Sequence, residues 1–392
     1  MISSAQWGAY NKAVESIVEG SRRALEAELT SWVDGHPGAG TAEIRREAER
    51  MMRGHVQEAD KSAASLAAQW YDAQGKAAGM RLDRAVTSVA FDEATVERVA
   101  HYQAQKLEDG DVPGFVEMCS ELVGNDAVRS LNATIMRNAA RDKRRGVKFA
   151  RVTSGRNTCP WCLMLAGRGA VYHTRESAGA MGRFHRHCSC KIVPSFSGDK
   201  YEVLVEGHDP AKIEARLKEV ERLTGFKRGT KEFSRDVTLR DPDWLFGDEP
   251  KGVSYLDAEV EAKKASDKDH PAEARTASRL SDCGYSTVFI NDEARELDAT
   301  SGRWRVVGLP DLESGLEIKN VSSAKSENTV SKHIGGAKKK RGLKAIALDF
   351  SENQNIDDKT AMAMVSNSLR RHGVDSALFI GHDLSVRYVL RK

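Results

Sequence analysis

The sequence predicts a multidomain chain: an α-helical N-terminal domain over residues 1–150, a small Cys/His-rich metal-binding module over 151–198, a partly helical connector over 199–266, and an α+β domain with a mainly antiparallel sheet over 267–392. Three observations carry this reading. At 392 residues the chain exceeds the ~100 to 200 residues of an ordinary domain. Residues 1–150 are rich in Ala, Glu, Arg and Gln, hold only Pro37 and Pro113, and repeat apolar residues at spacings of three and four, as amphipathic helices do. Beyond them the composition turns to Cys, His and Gly, and from His270 onward short apolar runs alternate with helical stretches.

In the N-terminal part, Ile44, Met51, Met52, Val56, Ala64, Leu66 and Trp70 lie along one stripe of a helix expected from Thr41 to Trp70. A second helix is expected from Pro113 to Ala140, with Phe115, Met118, Leu122, Val128, Leu131 and Ile135 on its buried side. Arg141, Lys143, Arg144 and Arg145 follow it and read as a solvated helix end facing the negative pole of the dipole, with a portal or DNA contact as the alternative. The connector contains a charged helical piece, Pro210 to Leu223, and a turn-rich stretch from Asp241 to Gly252, and is expected to be partly ordered at best. In the last domain the order is a helix from Pro271 to Cys283 stopped at Gly284, then strands at Tyr285–Ile290, Trp304–Val307 and Leu316–Lys319. A helix from Thr329 to Arg341, a strand at Ala345–Phe350, a helix from Met362 to Arg371, and strands at Ala377–Ile380 and Val386–Leu390 complete it.

Composition narrows the class of protein. With 40% hydrophobic and 30% charged residues and a mean hydropathy of -0.51, the chain suits a soluble, rather polar assembly component. It has no run of ~18 apolar residues, which argues against membrane partners. The N-terminus lacks the basic flank and apolar core of a secretory signal, so the chain is expected in the cytoplasm. The net charge of +3 is too small to argue for nucleic-acid binding by the whole molecule.

Of the six cysteines, four fall between Cys159 and Cys190, and without an export signal such a cluster favours metal ligation over disulfides. Cys119 and Cys283 read as small core residues. The TCPWC turn presents Cys159 and Cys162, and FHRHCSC returns His185, His187, Cys188 and Cys190, so a tetrahedral structural zinc is expected. Cys159, Cys162, His185 and Cys188 are the expected ligands, with His187 or Cys190 as substitutes. A redox role for CPWC is disfavoured, because such a motif should follow a strand and open a helix in a βαβ unit, whereas a polar loop is expected here.

The run RNTCPWCLMLAGRGAVYHTRESAG followed by RFHRHCSCKIVP resembles the signature of phage Mu F-like minor head proteins, over about residues 100–195. That resemblance implies a low-copy virion component in the capsid interior, associated with portal and capsid proteins during head assembly. It implies no catalysis in this part.

Chemistry is expected near the C-terminus. In GLPDLESGLEIKNVSS, Asp311 sits at a turn, and Glu317 and Lys319, two apart on a strand, share one face and can converge on a phosphate. Lys332, Lys338, Lys339, Lys340 and Arg341 add a polyanion-binding face with one acidic neighbour, Glu327. A metal-independent ribonuclease would use Glu317 and His333 as acid and base, with Lys319 and Lys332 stabilising charge. A metal-dependent nuclease of the PD-(D/E)XK type would hold magnesium with Asp311 and Glu317 while Lys319 positions water. An ordinary surface strand with a Glu317–Lys319 salt bridge is the bland alternative.

The order of elements from 268 to 392, with its HPxE helix start, resembles the C-terminal tRNA-nuclease domains of contact-dependent inhibition toxins, of the barnase-EndoU-colicin-RelE superfamily. This implies a small metal-independent RNase acting on tRNA, with a possible immunity protein as partner. His270, Glu273, Asp311, Glu317, Lys319, Ser323 and His333 are the positions carried over.

Overall fold

The chain starts its first helix where the N-terminus can be capped. Ser3 accepts from the Gln6 backbone amide while the Gln6 side chain accepts from the Ser3 amide, a reciprocal pair that satisfies two orphan donors. In this computed structural model, which describes residues 1–155, 158–174, 190–297 and 303–391, α1 then runs over Ser4–Gly35, α2 over Thr41–Ala77, α3 over Glu93–Glu108 and α4 over Val112–Arg141. A single 3-10 turn, Asp142–Arg145, ends at Gly146 with φ 86, a conformation glycine reaches without a Cβ penalty. β1 (Lys148–Val152) pairs antiparallel with β2 (Lys191–Ser195), and α5 (Pro160–Gly167) lies between them in sequence. These elements share one core, which includes Leu25, Leu29, Met52, Val56, Phe115, Leu131, Phe149 and Ile192. The described residues of the span 151–198 pack with the helices in the first of two compact units, Met1–Ala211 and Lys212–Lys392. Burying β2 against β1 and α4 is what ties these residues in.

The α2 stripe is buried at Ile44, Met51, Met52, Val56 and Ala64, while Leu66 and Trp70 lie at its margin. α4 departs from expectation: it is enclosed nearly all round, and its buried face includes polar residues. Asn138, Thr134 and Ser130, four residues apart, stack along the helix. Their side chains accept from the backbone amides of Val86, Ser88 and Ala90, and Asn138 and Thr134 donate back to the carbonyls of Val86 and Ser88. An extended segment that has no strand partner thus has its backbone satisfied by a helix face. Nearby Asp60 and Asp126 are fully buried carboxylates.

The second unit begins at Lys212 within α6 (Pro210–Thr224) and takes α7 (Lys231–Val237), α8 (Pro242–Leu245), β3 (Ser254–Tyr255), α9 (Ala258–Ala265) and α10 (His270–Asp282). There follow β4 (Val288–Phe289), β5 (Glu293–Leu297), β6 (Trp304–Gly308), β7 (Leu316–Asn320), α11 (Glu327–Ala337), β8 (Ala345–Asp349), α12 (Asp358–His372), β9 (Ser376–Ile380) and β10 (Val386–Leu390). The main sheet has the order β10-β9-β8-β7. The expected mainly antiparallel sheet is corrected here: β7 with β8 and β8 with β9 are parallel, and only β9 with β10 is antiparallel. Helices α11 and α12 supply the crossovers that parallel neighbours require. β8 and β9 are buried along their whole length, as strands covered on both faces are. Ile346, Leu348, Ala377 and Phe379 pack with Val330, Ile334, Val365 and Leu369 of α11 and α12. Their alternates, Ala345, Ala347, Leu378 and Ile380, face the cluster holding Ala277 and Leu280 of α10.

Two further expectations change. The 199–266 connector is folded: Leu239 and Val260 belong to that second cluster. Asp236 is fully buried between the hydroxyls of Tyr285 and Tyr388, which donate to it at 2.8 and 2.7 Å, and the Arg240 guanidinium at 2.8 Å. Of the expected strand Tyr285–Ile290, only Val288–Phe289 forms a strand, parallel to β3, while Tyr285 makes an isolated antiparallel bridge to Arg240 and joins this polar network. β5 was not foreseen, since its charged sequence lacks apolar alternation; it forms a two-stranded ribbon with β6. Among the described residues, no helix is long and apolar enough to cross a membrane.

Candidate functional site

The P-D-x5-E-x-K residues converge. Asp311 lies in the turn before β7, where its Oδ2 accepts the Ile318 amide at 2.9 Å and its own carbonyl accepts from Ile290. Glu317 and Lys319 project from one face of β7, and the Lys319 Nζ is 2.6 Å from Glu317 Oε1 and 3.9 Å from Asp311 Oδ2. Lys340, from the turn after α11, places its Nζ 2.8 Å from Glu317 Oε2 and 3.4 Å from Asp311 Oδ1. Asp311 is 2% and Glu317 0% exposed, so this is a buried charge cluster and the surface salt bridge is excluded. Both Glu317 oxygens face ammonium groups, yet neither has a well-directed hydrogen bond.

Burial, with the Asp311 charge beside it, pushes the Glu317 carboxyl above its ordinary range, against the pull of Lys319 and Lys340. For Lys319 burial acts to lower the value, but the charges of Asp311 and Glu317 outweigh it and raise it, so the ammonium persists. His333, half-buried on α11, is held below the usual imidazole value by burial and then by the Lys319 charge. It is therefore a neutral imidazole at neutral pH.

A second buried group borders this one. Lys264, on α9, pairs with Glu273 Oε2 at 3.3 Å, and His270 Nε2 meets the Tyr255 hydroxyl at 2.8 Å. His270 Nδ1 stands 3.7 Å from Glu273 Oε2 without a hydrogen bond. The charge of Glu273 also acts on Lys319. Lys264 and Tyr255 were missed by sequence reasoning because they lie in the stretch read as connector. Ser323 is exposed on the turn after β7. Lys332, Lys338 and Lys339 are exposed, whereas Arg341 pairs with Glu296 of β5 and Lys340 turns inward, so the expected basic face loses two members.

Among the described residues, no group of three or more His, Cys, Asp or Glu side chains is placed to hold a metal ion. Asp311 and Glu317 are a pair, and magnesium commonly takes one or two carboxylates together with substrate phosphates. A buried Glu317 whose two oxygens lack a well-directed hydrogen bond, beside the buried Asp311, fits that demand. A surface cleft of about 710 Å³ lies apart from them, lined by Glu352, Asn353, Asp357, Asp358 and His382, and its His382–Asp358 pair is already bonded at 2.5 Å.

Of the expected zinc ligands, His185 and Cys188, and the substitute His187, lie outside the described residues. Cys159 caps α5, its Sγ accepting the Cys162 amide at 3.2 Å, and the Arg151 guanidinium lies 3.7 Å from the Cys162 Sγ. Cys190 is buried beside β2. The CPWC motif thus opens a helix rather than sitting in a polar loop, because Pro160 fits the first helical position. The strands on either side are antiparallel, so it is still not part of a parallel βαβ unit.

Fold and site define a two-unit protein: a helical unit, and an α/β unit with a sheet-edge strand that buries an Asp–Glu–Lys cluster. Residues 1–220 match the family described as VG15 protein, more than half of the chain, and the chain belongs to that family, which marks it as a phage-related protein. No curated protein and no solved structure matches the chain significantly.

Proposed function

We propose that this is a phage minor head protein of the Mu F-like kind whose second unit is a metal-dependent nuclease. The family match spans the helical unit, and the resemblance of its Cys/His run supports a place in the capsid interior beside portal and capsid proteins. The nuclease reading rests on one observation: Asp311 and Glu317 converge as dehydrated carboxylates beside Lys319 on a strand that continues, through α11, into a parallel neighbour. The metal-independent ribonuclease is the alternative that the same Glu317, Lys319 and His333 would serve.

Asp311 and Glu317 would hold magnesium, which when bound supplies charge for the phosphoryl oxygens of the substrate. Asp311 is oriented for this by the Ile318 amide. Lys319, kept protonated, orients the attacking water or neutralises charge on the phosphate. His333 as a neutral imidazole can accept a proton near Lys319. Lys264 holds Glu273 at the border of the site.

The test is incubation of the full chain with total tRNA, single-stranded DNA and duplex DNA, with magnesium or with EDTA. Cleavage that EDTA abolishes, and that Glu317→Gln and Lys319→Met each lose, is expected. Cleavage indifferent to EDTA would instead assign a ribonuclease using Glu317 and His333. No cleavage of any substrate would leave an inactive interaction module on a head protein.

A further inference from the structure

Two lysines close on the carboxylate pair, and they arrive by different routes. Lys319 shares β7 with Glu317, so the two-residue spacing brings it there. Lys340 belongs to the turn that ends at Gly342, and its neighbours Lys338, Lys339 and Arg341 are exposed. Its ammonium nevertheless touches one oxygen of each carboxylate, 2.8 Å from Glu317 Oε2 and 3.4 Å from Asp311 Oδ1. A cation bridging one oxygen of Asp311 to one of Glu317 stands where a divalent ion shared by that pair would stand.

We propose that Lys340 is a stand-in cation that plugs the metal position, and that divalent-cation binding requires its ammonium to leave. This inference rests on the metal-dependent reading above. The charge balance argues for it. Two carboxylates and two ammonium groups are neutral together, so a divalent ion added to them would leave a buried double positive charge, which is costly. With Lys340 withdrawn, the remaining Asp311, Glu317 and Lys319 carry one net negative charge and attract the ion. Like charges at a few Å repel strongly in a dry site, so ion and ammonium exclude one another. Lys340 is the lysine able to leave: it stands on a turn, while Lys319 is fixed by the β7 ladder. Once out, it joins Lys338 and Lys339 on the surface a phosphate backbone would meet. Metal binding and presentation of Lys340 to substrate are then one coupled event.

The experiment is calorimetric titration of the full chain with Mn²⁺ at one fixed pH, for the wild type, Lys340→Met, Lys340→Arg and Asp311→Asn. Lys340→Met is expected to bind roughly 5- to 150-fold more tightly than wild type, the usual range of a coupling between two binding events. Lys340→Arg, which keeps the charge, is expected to stay near wild type, and Asp311→Asn to lose binding. Thermal unfolding checks that each variant folds, with Lys340→Gln as the replacement if the Met variant does not. Equal affinity in wild type and Lys340→Met, both lost on adding Asp311→Asn, would overturn the plug and leave the metal site standing. Binding indifferent to Asp311→Asn, or absent from every protein, would overturn the metal reading and the plug with it.

Discussion

Removing the charge of Asp60 should stabilise the helical unit at neutral and alkaline pH. Asp60 on α2 is fully buried next to the equally buried Asp126 on α4, whose own partner is Arg129 at 2.8 Å. Neither Asp60 oxygen has a well-directed hydrogen bond, the nearest donors being the Ser130 hydroxyl and the amides of Ala90 and Phe91. Burial, and then the Asp126 charge, push its carboxyl from 3.8 up to about 7. The sign follows from proton counting. Between these two values the folded protein holds a proton that the unfolded chain has released, so stability is full below the unfolded value and falls as pH rises towards 7. The rise corresponds to a ceiling of about 4 kcal/mol. Relaxation and water entry reduce such penalties, and about 1 to 3 kcal/mol is the expected gain for Asp60→Asn at pH 8. Urea unfolding followed by far-ultraviolet circular dichroism, run from pH 5 to pH 8 on both proteins, reads the difference, because other carboxylates titrate alike in each. Wild type should lose stability across that range relative to the variant. Parallel pH profiles, or a variant less stable at pH 8, would refute the argument from burial.

The other two predictions concern polar groups in the two units. Arg240→Met strips the charge partner from Asp236, leaving a fully buried carboxylate with only the two tyrosine hydroxyls. Denaturation of the second unit should show a loss of about 3 to 5 kcal/mol, whereas a loss under about 1 kcal/mol would mean the network is solvated. In the first unit, elemental analysis after purification without chelators should find about one zinc per chain, and Cys159→Ser with Cys162→Ser should remove it. Metal-free wild type would dismiss that ion.

How much of this was legible varies with the physics. The strand at Val386–Leu390 and the helix from Thr41 were readable because their periods are local, and Glu317 and Lys319 were placed on one face by strand pleating alone. The ladder of Ser130, Thr134 and Asn138 was illegible, since polar residues at helical spacing read as a solvated face until a partner backbone covers them. The strands β7, β8 and β9 were each anticipated, yet their parallel pairing was not, because apolar content says that a strand is covered and not which way its neighbour runs.

By itself the sequence determined the periodic elements, the capped helix starts and the short-range pairs, since these depend on residues within a few positions of one another. Only the tertiary structure decided where long-range charges end. It folded the presumed connector around Asp236, and it sent Lys340 inward to Asp311 and Glu317 while its neighbours face water. The reason is that burial sets the cost of a charge and of its partner, and burial belongs to no stretch of sequence; it exists once distant segments have packed.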